Sequence, residues 1–169
     1  MNHVYIISGP AGVGKSTTSK LLVQCLQQSA YISGDYISHL HVRGRQKPWE
    51  SEEELSLIWH NISVLTRNFL ARGIDVVIDY VTFPKEANWL REQLEDIQVQ
   101  ITYVVLWTDR KTLVERDKMR PSEHQMGERC LILMEEFVES GLEKRHIFNN
   151  SHSLDHIIEM ILTDKRYIL

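Results

Sequence analysis

The sequence predicts a three-layer α/β fold, with a parallel sheet of about five strands and helices on both faces. Three observations predict it. Short apolar runs alternate with segments of helical period, the order that a parallel sheet with crossover helices requires. A glycine-rich turn joins the first of these runs to the first helical pattern. The chain has 169 residues, 43% hydrophobic and 25% charged, which suits one folded domain spanning 1–169 and argues against a disordered chain.

Val4–Ile7 reads as the first strand. The helical pattern from Lys15 to about Gln28 sets Leu21, Leu22, Cys25 and Leu26 on one face. Cys25, like Cys130 further on, is therefore expected in the core. Tyr31–Ile32 leaves room only for a short second strand before the turn Ser33-Gly34-Asp35. From His39 to Trp49 no period is clear. Ser51 and Glu54 have the spacing of a capping box, each able to satisfy a backbone N–H of the other's turn. Leu55, Ile58, Ile62, Leu65 and Phe69 follow as one apolar stripe, and Gly73 supplies a left-handed stop. Asp75–Val81 reads as a strand, and Pro84 opens a helix to about Glu95. Ile101–Trp107 is nearly all apolar, as a strand covered on both faces should be. Helices are predicted over Lys111–Lys118 and Glu128–Glu139. Ile147–Phe148 is a last short strand, and Ser153 caps a helix bearing Leu154, Ile157, Ile158 and Ile161.

Nineteen Lys and Arg against 23 Asp and Glu give a net charge of −4, which argues against general nucleic-acid or anionic-membrane binding. There is no leader-like N-terminus, and no apolar run approaches the roughly 18 residues that span a bilayer. A cytoplasmic protein is expected, monomeric or homodimeric, whose partner is a small molecule. Two cysteines cannot form a disulfide framework, and the eight histidines include no H-x-x-x-H pair on one helix with a partner acid, so zinc is not expected.

The strongest motif is Gly9-Pro10-Ala11-Gly12-Val13-Gly14-Lys15-Ser16, which fits G-x-x-x-x-G-K-S/T without departure. A chance match in a chain this long has odds of roughly one in two hundred at average glycine usage. Its position after a strand and before a helix lowers those odds further. Glycines let successive N–H groups point inward at phosphate oxygens, and the helix presents its positive end there. In such a loop Lys15 reaches the β- and γ-phosphates, the Ser16 hydroxyl ligates Mg²⁺, and Thr17 follows in the same cradle. The sequence thus predicts a P-loop NTPase fold that binds a nucleoside triphosphate, taken as ATP with Mg²⁺.

Beyond this loop the chain resembles the small P-loop kinases, a family that includes shikimate kinase, gluconate kinase and chloramphenicol phosphotransferase. The resemblance covers most of the chain in element order. Three short segments carry it. Ser33-Gly34-Asp35 follows the second strand, and the resemblance implies Asp35 as the carboxylate that orients the acceptor hydroxyl and takes its proton. Ser33 stands where shikimate kinases have the first of two acids. Val76-Val77-Ile78-Asp79 is similar to a Walker B strand, which implies that Asp79 holds Mg²⁺ or its waters beside Ser16. Arg116-Asp117-Lys118-Met119-Arg120-Pro121 resembles the lid, about 116–129, implying Arg116 near the adenine and Arg120 on the transferring phosphate, with Arg129 a further candidate. An acceptor-binding segment is expected at about 35–72, where Arg43, Arg45 and Lys47 either receive an acidic group or form a solvated loop. The resemblance implies transfer of the γ-phosphate of ATP to a hydroxyl of a sugar acid or shikimate-like alcohol. A nucleoside monophosphate kinase, or a nucleotide-binding regulator without an acceptor, stays open. A GTPase switch is disfavoured because Thr108-Asp109-Arg110-Lys111 does not supply a guanine-reading Asn/Thr-Lys-x-Asp run.

Overall fold

Each predicted strand is short and apolar on both faces, so it must be covered twice, and a parallel sheet between helices is what covers it. The computed structural model, which describes residues 1–169, shows that arrangement. Strands β1 (Asn2–Ser8), β2 (Ser29–Ser33), β3 (Asp75–Asp79), β4 (Val99–Trp107) and β5 (Ile147–Asn149) form one parallel sheet in the order β2-β3-β1-β4-β5. Registers such as Val4↔Val76, Tyr5↔Thr102 and Leu106↔Phe148 align it. The helices are α1 (Lys15–Cys25), α2 (Gly34–Leu40), α3 (Glu52–Leu70), α4 (Pro84–Gln93), α5 (Arg110–Lys118), α6 (Arg129–Glu139) and α7 (Leu154–Thr163).

Alternation along β1 builds two cores. Val4 and Ile6 pack with Val76, Ile78, Tyr103 and the α3 residues Ile58 and Ile62. Tyr5 and Ile7 face the other way, onto Leu22 of α1, Val77, Val104 and Ile158 of α7. Because β1 pairs with β3 on one side and β4 on the other, the turn that follows it opens at a topological switch point, where α/β sheets bind ligands.

Three expectations need correction. Cys25 is exposed, because α1 ends there and Leu26 turns into extended chain; only Cys130 joins the core. The α3 stripe drifts. Ile58 and Ile62 are buried with Trp59, Ser63, Thr66 and Leu70, while Leu55, Leu65 and Phe69 are half-buried flanks. Steps averaging 3.5 residues fall behind a 3.6-residue helix by about 20° per heptad, so a straight stripe cannot stay centred over five turns. The capping box is half formed. Ser51 Oγ accepts the Glu54 N–H at 3.2 Å, but the Glu54 carboxylate turns inward to His41 and the Gln46 N–H. One helix was not anticipated: α2 starts inside the Ser33-Gly34-Asp35 turn, with Ser33 Oγ accepting the Tyr36 N–H at 3.3 Å.

Candidate active site

The phosphate loop is shaped by backbone that only glycine adopts freely. Gly9, Gly12 and Gly14 have φ values of 137°, 84° and 105°. A Cβ on Gly9 would collide with the Leu106 carbonyl oxygen and lie 2.9 Å from Val13 Cγ1, so β4 itself enforces that glycine. Lys15 folds back so that its Nζ donates to the carbonyls of Gly9 and Pro10, both at 3.0 Å. Burial pulls its pKa down to about 8; Asp79 and Asp35 oppose that shift and Arg120 adds to it. Ser16 and Thr17 are exposed at the mouth of the loop.

Those couplings show what the fold brings together. Asp35, in the first turn of α2, and Asp79, at the end of β3, both act on Lys15, as does Arg120. Asp35 reaches cleft solvent, yet protein crowding raises its pKa, opposed by Lys15 and raised further by Asp79. Asp79 is buried, and Tyr31 Oη donates to its Oδ2 at 2.6 Å. Beyond Asp79 the chain is pinned: the Thr82 N–H donates to Ser8 Oγ at 2.8 Å, and Tyr103 Oη donates to the Thr82 carbonyl at 2.7 Å. The Tyr80 ring covers Gly34 so closely that any Cβ there would strike it. Tyr31 and Tyr80 escaped the sequence reading because an aromatic in a strand carries an ordinary core signal.

The segment 116–129 joins α5 to α6. Arg116 Nη1 donates to the Val13 carbonyl at 3.2 Å, and Asn150 Nδ2, after β5, donates to the same oxygen. Asn150 had no signal in the sequence. Asp117, read only as part of a basic run, is buried and accepts the N–H groups of Met126 at 2.9 Å and Gly127 at 2.8 Å. Arg120 lies 3.6 Å from Asp117, and its Nη1 is buried without a hydrogen-bond partner. Arg129 pairs with Glu136 at 3.1 Å and lies over the Trp49 ring, 5.3 Å from its centroid, leaving Nε buried and unpartnered.

In the acceptor-side segment Arg43 is exposed, Arg45 Nε donates to Ser38 Oγ at 3.0 Å, and Lys47 pairs with Glu50 at 3.3 Å. His41 Nδ1 lies 2.9 Å from the Glu54 carboxylate. Burial would raise the pKa of Glu54, but His41 and the Gln46 N–H hold it below its ordinary value. Two grooves flank α3, one of about 490 Å³ against α2 and one of about 600 Å³ against α4, and neither includes the phosphate loop.

The donor set suits Mg²⁺ carried on phosphates. Ser16 and Asp79 are hard oxygen donors, no cluster of three or more His, Cys, Asp or Glu makes a cage of its own, and Arg120 Nη1, 3.6 Å from Asp117, and Arg129 Nε make no hydrogen bond. The His152 and His156 rings lie 5.0 Å apart and tilted by 58°, but His152 precedes α7 and no third ligand joins them.

A parallel sheet of this order, with a glycine loop leading from its central strand into a helix, is the fold of the P-loop small-molecule kinases. The chain belongs to the AAA domain family, which matches residues 4–136. Among solved structures it is similar to a sugar kinase from Janibacter sp. HTCC2649, with 15% identity, a TM-score of 0.71 and coverage of 96% of this chain and 93% of that one. It is similar to a gluconokinase from Sinorhizobium meliloti 1021, at 18% identity and TM-score 0.67, covering 95% and 89%. The APS kinase of Mycobacterium tuberculosis, in complex with AMPPNP and APS, matches at 16% identity and TM-score 0.70, covering 95% of each chain. At these identities the likeness is one of fold. No curated protein matches the sequence. No helix is long and apolar enough to cross a membrane.

Proposed function

We propose that the protein is an ATP-dependent phosphotransferase that moves the γ-phosphate of ATP to a hydroxyl of a small metabolite, a sugar acid or shikimate-like alcohol. The observation that carries this reading is Asp35, a carboxylate open to the cleft and electrostatically coupled to Lys15 of the phosphate loop. A nucleotide switch needs no acid there. A kinase needs one to orient the attacking oxygen and accept its proton. The sugar kinase and gluconokinase among the structural neighbours support an acceptor of this class.

In this reading the loop amides and Lys15 bind the phosphates, and Lys15 exchanges its two carbonyl contacts for phosphate oxygens. Ser16 and Asp79 hold Mg²⁺, which when bound neutralises charge on the β- and γ-phosphates. Arg116, which donates to the Val13 carbonyl of the loop, would pack near the adenine. Arg120, whose buried Nη1 faces Asp117 at 3.6 Å without a hydrogen bond, meets the charge that spreads over the transferring phosphoryl group once water is excluded. The segment 116–129 serves as lid, and 35–72 holds the acceptor.

The test is ATP consumption across acceptor classes, with phosphorylated product identified by mass. Asp35→Asn is expected to lower turnover by roughly 10²-fold or more while sparing ATP binding. Unchanged turnover would remove Asp35 from the chemistry. ATP binding with no phosphorylated product from any acceptor would favour the regulator reading instead.

A further inference from the structure

The Tyr31 hydroxyl has no part in the scheme above, yet it sits at its metal side. Tyr31 is the middle residue of the edge strand β2, in register with Val77 of β3, two residues before Asp79. Its Oη donates to Asp79 Oδ2 at 2.6 Å. A buried carboxylate needs donors to hold its charged form in one orientation. Asp79 has one such bond, to one oxygen, and its other oxygen carries no protein donor. Mg²⁺ demands near-ideal octahedral geometry, so a carboxylate free to rotate serves it poorly. Groups that orient a ligand from behind are worth a large share of metal affinity.

We propose that Tyr31 is a positioning residue for the nucleotide's metal: its hydroxyl fixes one oxygen of Asp79 so that the other stays presented, beside Ser16, to the divalent cation. This rests on the reading of Ser16 and Asp79 as the metal-facing pair. The half-buried ring is a separate matter from the hydroxyl. Tyr31→Phe keeps the ring and deletes only the bond.

The experiment is calorimetric titration of the whole protein with AMPPNP, first in EDTA and then at rising Mg²⁺. Wild type is expected to gain affinity as Mg²⁺ rises. Tyr31→Phe is expected to need roughly tenfold more Mg²⁺ for the same gain, with its affinity in EDTA within about twofold of wild type. Mn²⁺ in place of Mg²⁺, read by its electron paramagnetic resonance, should show correspondingly less bound ion in the variant. Superimposable Mg²⁺ curves for wild type and Tyr31→Phe overturn the role of Tyr31, as does a variant whose affinity falls equally in EDTA, which would mark a structural part only. Asp79→Asn separates the two levels. If it loses the Mg²⁺ gain while Tyr31→Phe does not, only the present inference fails; if it keeps that gain, the metal reading of Asp79 fails as well.

Discussion

The two walls of the cleft are made in different ways. On one side the phosphate loop is eight consecutive residues, Gly9 to Ser16, whose positive-φ glycines and helix start shape the cradle almost entirely from backbone. On the other, residues far apart in the chain converge as side chains: Tyr31 on Asp79, Tyr80 on Gly34, Glu54 on His41, Arg129 on Trp49. A backbone cradle tolerates most substitutions outside its glycines, Lys15 and Ser16. A side-chain wall can be remodelled one residue at a time.

The largest effect should come from the backbone side. Lys15→Ala is expected to lower phosphoryl transfer by about 10³-fold with an unchanged circular dichroism spectrum, since Lys15 binds only loop carbonyls and packs in neither core. A variant with full activity would break the comparison at its first term. Gly34→Ala probes the opposite wall. Its Cβ must displace the Tyr80 ring, and a loss of about 1–3 kcal/mol in denaturant unfolding is expected. An unaltered midpoint would mean that the wall yields more easily than its packing implies. The smallest effect is on pH. With Lys15 at about 8 in the free protein, part of it is neutral above that pH, and bound phosphates must raise its pKa to charge it. ATP affinity should therefore hold constant below about pH 8 and weaken above it, by at most tenfold per pH unit. Affinity that rises with pH over that range would contradict the sign.

This division also explains what was legible in the sequence. The loop, the strands and Gly73 depend on local rules, turn glycines and apolar runs, and each appears where those rules put it. Asp35, Asp79 and Arg120 were proposed from short segments in element order, and each is electrostatically coupled to Lys15. Asn150 and Tyr31 were invisible because their roles exist only across 137 and 48 residues of chain separation. The reciprocal bond of the Ser51–Glu54 box failed for the same reason. A distant His41 competed for the carboxylate and won, since a buried acid gains more from a ring nitrogen and a backbone N–H than from its own exposed helix end. Local pattern predicts what neighbours in sequence do when nothing better arrives from afar.

Asp117 has a consequence for time rather than for shape. By holding the N–H groups of Met126 and Gly127, it cinches the neck of the turn between α5 and α6, and Gln125 laces the interior to the carbonyls of Lys118 and Arg120. The entropy of closing that loop is lost once, at folding, and not again each time a ligand binds. A flap tied at its neck can tilt over a ligand as a hinge, on the microsecond-to-millisecond scale of such motions, without first finding its own conformation.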